Sequence, residues 1–170
     1  MSEPLRVLLI GQSPGNLGEM LRACGRDVEL IHCERPENGL ALASGGGIDV
    51  VLLDLDLAGN RGTEAFDRLR EAAPDLPVIV LTTARDDPAA LRAMQNGAQD
   101  YLIREKTDAE LLCRAVRYAL ERTRVEAALR HSEAMYRRLV ENLNEGVLAV
   151  DEAGRITFVN PRMEEILGCP

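Results

Sequence analysis

The sequence predicts a doubly wound α/β fold. Short apolar segments alternate with amphipathic segments from residue 5 to residue 103, and this alternation indicates a parallel sheet with right-handed crossovers. Three of the apolar segments, RVLLI, VVLLDL and PVIVLTT, are almost continuous runs of valine, leucine and isoleucine. Such runs are typical of parallel strands that helices cover on both faces.

The pattern defines the strands, the helices and the edge of the sheet where function is expected. The predicted strands are Leu5–Ile10, Val28–His32, Asp49–Asp54, Pro77–Thr82 and Asp100–Ile103. The predicted helices between them are Asn16–Cys24, Pro36–Ala43, Gly62–Ala72 and Pro88–Asn96. Ligands of such sheets bind beyond the carboxyl ends of the strands. The candidate functional residues are therefore Gly11–Ser13, Asp54, Thr82, Thr83 and Arg104.

The net charge of −8 and the aromatic content of 3% argue against several classes of partner. An acidic chain without tryptophan lacks the positive surface and the stacking platforms that bind nucleic acid, and its charge disfavours an anionic membrane surface. No apolar run approaches the roughly 18 residues that span a bilayer, and the N-terminal MSEPLR is unlike a signal peptide. We therefore expect a cytoplasmic protein that binds neither nucleic acid nor membrane.

The cysteines and histidines show no metal-binding pattern. No two cysteines have the CxxC spacing of a zinc site. We expect free thiols in a reducing cytosol at Cys24, Cys33, Cys113 and Cys169. His32 and His131 are isolated, and we expect surface or packing roles for both. The chain contains no GxGxxG motif, and we expect no enzyme on this fold.

One long helix is predicted from Thr107 to about Leu143, because no glycine or proline interrupts the segment before Gly146. Spacings of four and three residues place a mostly apolar stripe on it: Leu111, Ala115, Tyr118, Arg122, Val125, Leu129, Ser132, Tyr136, Leu139 and Leu143. We expect a two-stranded coiled coil; the alternative is a surface helix folded back on its own domain. Thr107 is the predicted N-cap, with Glu110 completing a capping box.

The last segment has a different pattern. GVLAVD and RITFVN are strand patterns joined by an EAG turn, and a helix is predicted to start at Pro161. Two strands and one short helix bury too little surface to fold alone. Either the segment belongs to a larger second domain, or its strands pair with something else.

Three blocks resemble the receiver domain of bacterial response regulators: VLLDLDLAGNRGTEAFDRLR, PVIVLTT and NGAQDYLIRE. The resemblance covers about residues 4–122 and implies a flavodoxin-like sheet with the strand order 2-1-3-4-5. It also implies a phosphoryl switch, in which an aspartate accepts phosphate from a histidine kinase while a pair of acids holds Mg²⁺. The segment YRRLVENLNEGVLAVDEAGRITFVNPRMEEILG, within residues 133–170, resembles the opening of a PAS sensory domain.

These resemblances imply a domain order and a set of site residues. We expect a receiver domain at 1–122, a signalling helix at 107–143 and an incomplete PAS domain at 144–170, to which no ligand can be assigned. Carried over by position, Asp54 is the phosphoacceptor, and Gln12 and Ser13 stand where the family has its acidic pair. The switch and phosphoryl-binding positions are Thr82, Thr83, Tyr101 and Arg104, with Arg104 in place of the family's lysine.

The absence of the acidic pair predicts a degenerate receiver. Mg²⁺ prefers anionic oxygens in octahedral geometry, and neutral side chains at Gln12 and Ser13 leave Asp54 and Asp56 as weak candidate ligands. We expect no cofactor, or Mg²⁺ bound weakly. A guanidinium at Arg104 can neutralise Asp54 directly; the alternative is an arginine that extends into solvent beside a hydrated carboxylate.

We therefore expect a regulatory module without enzyme activity that acts through protein–protein contacts. The expected homodimer uses the face formed by the fourth helix, fifth strand and fifth helix, together with the helix at 107–143. A downstream sensory or output domain is a further expected partner. The alternative is a functional receiver of a two-component system, phosphorylated on Asp54 by a histidine kinase, with Asp56 or water serving the metal.

Overall fold

The chain folds into two compact units, Met1–Arg124 and Val125–Pro170. The structure is a computed structural model that describes residues 3–25, 27–57, 61–83 and 88–168. The strands of the first unit are β1 Leu5–Ile10, β2 Val28–Cys33, β3 Val50–Asp54, β4 Val78–Thr82 and β5 Asp100–Ile103. They form one parallel sheet in the order β2-β1-β3-β4-β5. The predicted fold class and strand order are confirmed.

Helices cover both faces of this sheet. They are α1 Leu17–Arg22, α2 Pro36–Ser44, α3 Arg61–Ala72, α4 Pro88–Gln95 and α5 Ala109–Glu141. One apolar cluster joins the sheet to α2, α3 and α4 around Phe66, and the other joins it to α1 and α5 around Leu112. Every residue of β3 and β4 is buried, which explains why their sequences show no alternation of apolar and polar residues.

The long helix is confirmed, but it starts two residues later than predicted, at Ala109. Asp108 is the N-cap, because its Oδ1 accepts a hydrogen bond from the backbone N–H of Leu111 at 2.8 Å. Thr107 is buried and donates its hydroxyl to the carbonyl of Ile103 at 2.8 Å. The predicted capping box of Thr107 and Glu110 is therefore wrong. No helix in the described part of the chain is long and apolar enough to cross a membrane.

The free-thiol prediction is wrong for two cysteines. Cys24 and Cys113 form a disulfide, with their Cα atoms 5.4 Å apart across a sequence separation of 89 residues. Cys33 is a free, half-buried thiol at the end of β2, and Cys169 lies outside the described residues. The spacing of the cysteines could not reveal the pair, because it forms only when α1 and α5 pack on the same face of the sheet.

The second unit contains an antiparallel hairpin and a short helix. The strands are β6 Leu148–Val150 and β7 Ile156–Val159, and the helix is α6 Pro161–Leu167. In the turn between the strands, Asp151 accepts hydrogen bonds from the backbone N–H and the guanidinium of Arg155, and these bonds lower the pKa of Asp151. Both strands expose large apolar side chains, so the hairpin alone forms no buried core.

Asn160 connects the elements of this unit through its fully buried side chain. Its Nδ2 donates to the carbonyl oxygens of Val140 at 3.0 Å and Glu145 at 2.9 Å. Its Oδ1 accepts from the backbone N–H groups of Val147 at 2.7 Å and Met163 at 3.0 Å. One side chain thus satisfies backbone groups at the end of α5, at the start of the hairpin and at the N-terminus of α6.

Asn160→Ala is expected to destabilise the second unit by about 2 kcal/mol, because it leaves buried backbone groups without partners. Hydrogen exchange at the amides of Val147 and Met163 measures this locally, and their protection should fall by about 30-fold. Asn142→Ala is the control, since Asn142 donates one exposed hydrogen bond to Arg138. Equal protection in the two variants would contradict the connecting role of Asn160.

Candidate functional site: the strand-end pocket at Asp54

Asp54 ends β3 and is the centre of the site. The residue is only 7% exposed. Its Oδ1 accepts a hydrogen bond from the backbone N–H of Asp56 at 3.0 Å, and its Oδ2 accepts one from Nη2 of Arg104 at 2.8 Å. Both carboxylate oxygens therefore have donors, and the guanidinium balances the negative charge directly.

Arg104 bridges three segments of the chain. It starts a 3-10 turn, Arg104–Lys106, directly after β5. Its Nη2 binds Asp54, and its Nη1 donates to the carbonyl oxygen of Ser13 in the β1–α1 loop at 2.9 Å. The Arg104 side chain is 24% exposed and that of Asp54 is 10% exposed. A planar guanidinium makes both contacts in one geometry, which the single ammonium of a lysine does not reproduce.

Gly11 provides the space for this pair. In the parallel register Ile10 lies opposite Leu53, so Gly11 comes beside Asp54. A Cβ on Gly11 would lie 2.9 Å from Cβ of Asp54, 3.3 Å from its Oδ2 and 3.6 Å from Nη2 of Arg104. The φ angle of Gly11 is not in the left-handed region. Glycine is therefore needed here for space and not for backbone freedom.

His32 fixes the backbone of Gly11. Its Nε2 lies 2.7 Å from the carbonyl oxygen of Gly11, and a carbonyl only accepts, so Nε2 carries the proton. The N–H of Gly11 donates to the carbonyl of Cys33 at 3.0 Å. This role of His32 was not predicted, since a surface or packing role was expected for it. The register of β1 against β3 was the signal that could have placed Gly11 beside Asp54.

Asp56 connects the loops that follow β3 and β4. Its side chain is exposed, yet its Oδ2 accepts a hydrogen bond from the backbone N–H of Thr83 at 2.6 Å. Thr82 is fully buried at the end of β4, next to Ile103 of β5. The backbone of Thr83 therefore belongs to the site, while Thr82 is buried at the end of β4.

The remaining predicted positions lie around the pocket. Tyr101 is half-buried against the apolar cluster of α2, α3 and α4. Gln12 is exposed, and Ser13 uses its hydroxyl to accept from the N–H of Gly15 at 3.2 Å. Ser13 thus takes part in the site through its carbonyl, while Gln12 is exposed.

The side chains of this pocket do not fit a bound Mg²⁺. No three histidine, cysteine, aspartate or glutamate side chains of the described residues lie close enough together to hold a metal ion. Mg²⁺ requires near-octahedral oxygen coordination. The positive guanidinium of Arg104 lies against Oδ2 of Asp54 and repels a cation there. The chemistry of the site favours a closed ion pair.

Comparison with known proteins agrees with this fold. The chain belongs to the response regulator receiver domain family, whose model matches residues 14–117. A PAS domain model matches residues 134–170. Both resemblances inferred from the sequence are confirmed: a receiver domain is followed by PAS sequence.

The chain is similar to response regulators of different kinds and to a solved receiver domain. The transcriptional regulatory protein TrcR of Mycobacterium tuberculosis is 31% identical over 155 residues, 89% of this chain and 56% of that protein. The cyclic di-GMP phosphodiesterase response regulator RpfG of Xanthomonas campestris is 29% identical over 125 residues, 72% of this chain and 32% of that protein. A receiver domain structure from Clostridium thermocellum has a TM-score of 0.63 at 26% identity and covers 71% of this chain and 97% of its own. The chain spans about a third to just over half of the curated relatives it matches.

Proposed function

We propose that this chain is a cytoplasmic signalling module whose receiver unit works without Mg²⁺-dependent phosphorylation and acts through protein–protein association. It has no enzyme activity of its own and couples to a sensory or output domain through its PAS segment. The observation that carries the proposal is the bridge from Arg104 to Asp54 and Ser13. This bridge does what a metal would do in a phosphorylated receiver, since it neutralises the carboxylate and ties it to the β1–α1 loop.

The ion pair opposes phosphoryl transfer to Asp54. A carboxylate that attacks an anionic phosphoryl group needs positive charge to offset the repulsion between the two anions. Here that positive charge is already bound to Oδ2 of the attacking carboxylate. Moving Arg104 away would cost the energy of a largely buried ion pair. Arg104 thus stabilises the unphosphorylated side chain.

Association is supported by apolar side chains that stay exposed in the single chain. In the second unit, Val125, Leu129, Tyr136 and Leu139 of α5 are 56–67% exposed, and their spacing is that of a coiled-coil seam. In the first unit, Leu91 of α4 and Tyr118 of α5 are 48% and 58% exposed. We infer a homodimer that uses both surfaces.

A receiver that accepts phosphate from a histidine kinase is the second candidate. One observation favours it: Asp54, Thr82 and the backbone N–H of Thr83 still stand at the ends of β3 and β4. In that case Arg104 would have to turn from Oδ2 of Asp54 towards a phosphoryl oxygen.

Leu139→Glu is expected to weaken dimerisation of the chain by at least about tenfold, because it places a charge in the apolar seam. Arg137→Glu is the matched control, since it introduces the same residue outside the seam. Asp54→Asn should leave the dimer constant unchanged. Sedimentation equilibrium measures all three. A dimer constant that responds to Asp54→Asn, or to acetyl phosphate with Mg²⁺, would contradict phosphorylation-independent association.

A further inference from the structure

The disulfide of Cys24 and Cys113 connects two elements that the Asp54 pocket does not involve. Cys24 follows the end of α1, and Cys113 lies in the second turn of α5. With a Cα separation of 5.4 Å, the bond forms without any movement of the backbone. Because α5 continues beyond the receiver unit to Glu141, the disulfide lies at the base of the helix that leads to the second unit.

The disulfide lies beside an open cleft at the protein surface. Cys24 and Cys113 are each half-buried, and both line an open surface cleft of about 440 Å³. Glu110, Arg114 and Arg117 line the same cleft. Two arginines beside one acid give the cleft an excess of positive charge, which favours the approach of an anionic thiolate from a co-reactant.

Opening this bond should loosen α1 without unfolding the receiver unit. α1 has six residues and buries only Leu17 and Leu21, so the disulfide is a large part of its attachment to α5. α5 keeps its own apolar contacts with the sheet through Leu112 and Val116. The disulfide therefore restrains the end of α1 and the first turns of α5, while apolar packing holds the rest of the receiver unit together.

We propose that Cys24 and Cys113 form a reversible thiol–disulfide modification site whose redox state sets how firmly the first turns of α5 are attached to α1. The co-reactant is a small dithiol or a dithiol protein. Its thiolate attacks one sulfur, the Cys24–Cys113 bond breaks, and a mixed disulfide forms. The second thiol of the co-reactant then attacks this mixed disulfide and releases the cysteine that was held in it. Two electrons and two protons pass to the chain, which gains two thiols, and the co-reactant leaves as a disulfide.

The test uses the whole 170-residue chain carrying Cys169→Ser, equilibrated with mixtures of reduced and oxidised dithiothreitol. Alkylation and mass spectrometry measure the fraction of Cys24 and Cys113 present as thiols, and hydrogen exchange measures the helices. We expect one reversible transition in the folded protein. On reduction, exchange in residues 17–24 and 109–113 should rise by at least about tenfold, while exchange in β3 and β4 stays unchanged.

Cys33→Ser is the matched control. Burial raises the pKa of the Cys33 thiol, which keeps it protonated and a poor nucleophile at neutral pH. This variant should titrate as the parent does. Cys113→Ser should show the exchange of the reduced state at every dithiol ratio. If Cys113→Ser fails to fold, the chemically reduced parent chain gives the same comparison.

Three results would each overturn the proposal. The first is a disulfide that resists excess dithiothreitol until the chain unfolds, which would make it a permanent crosslink. The second is a pair of thiols that oxidised dithiothreitol never joins. The third is reduction without any change of exchange in α1 and α5. None of these outcomes depends on whether Asp54 accepts phosphate.

Discussion

Replacing Arg104 with alanine is expected to lower the free energy of unfolding of the receiver unit by about 2–3 kcal/mol. The substitution removes a donor from Oδ2 of Asp54 and from the carbonyl of Ser13. It leaves a carboxylate that is 10% exposed without its charge partner. The cost is below that of a fully buried pair because Arg104 is 24% exposed, so water can replace part of its contacts. Urea denaturation followed by circular dichroism measures the change.

Asp54→Asn removes the negative charge of this side chain but keeps an oxygen that accepts hydrogen bonds. An asparagine still offers Oδ1 to the N–H of Asp56, so we expect a loss of about 1 kcal/mol. In the double variant with Arg104→Ala, the total loss should fall short of the sum by about 1–2 kcal/mol, because the two side chains share one interaction. A loss below about 0.5 kcal/mol for Arg104→Ala, as found for exposed pairs, would mean that Arg104 extends into solvent.

Gly62→Ala is expected to destabilise the same unit by about 3 kcal/mol, near the upper end of the usual cost of overpacking. A Cβ on Gly62, in the first turn of α3, would lie 2.5 Å from Cα of Leu55 and 2.6 Å from its carbonyl oxygen. These are backbone atoms of the residue that follows Asp54. They can move only if the end of β3 and the turn after it, which carry Asp54 and Asp56, move with them.

Gly18→Ala is the control for this substitution. Gly18 lies in α1, and its nearest neighbour would be Cδ2 of Leu30 at 3.4 Å, an ordinary contact. Alanine is favoured over glycine in a helix, so Gly18→Ala should be neutral or stabilising by about 0.5 kcal/mol. If thermal unfolding shows the same midpoint for both variants, the close approach of α3 to Leu55 is wrong.

Much of the receiver fold could be predicted because its signals are local. Continuous runs such as Val50–Leu53 define buried parallel strands, and the residues after them fall at one edge of the sheet. That rule placed Asp54 and Arg104 close enough to expect a pair, and the structure contains it. The role of Asp54 as a phosphoacceptor stays a prediction.

The features that sequence analysis missed depend on contacts between distant segments. Gly11 carries no side-chain signal, and its importance follows from the register of β1 against β3. Cys24 and Cys113 meet only in the folded chain. At the start of α5, Thr107 and Asp108 are both good N-cap residues, and the hydrogen bond of Thr107 to Ile103 decides between them.

The most direct test of the Arg104–Asp54 pair is a titration of the whole chain with Mg²⁺ and beryllofluoride, a mimic of the phosphoryl group, followed by NMR of the backbone amides. We predict no saturable binding at millimolar Mg²⁺ and unchanged amide signals around Asp54, because the guanidinium of Arg104 already holds Oδ2. Saturable binding, with shifts at Thr82, Tyr101 and Arg104, would contradict this prediction. The receiver would then be a working phosphoryl switch.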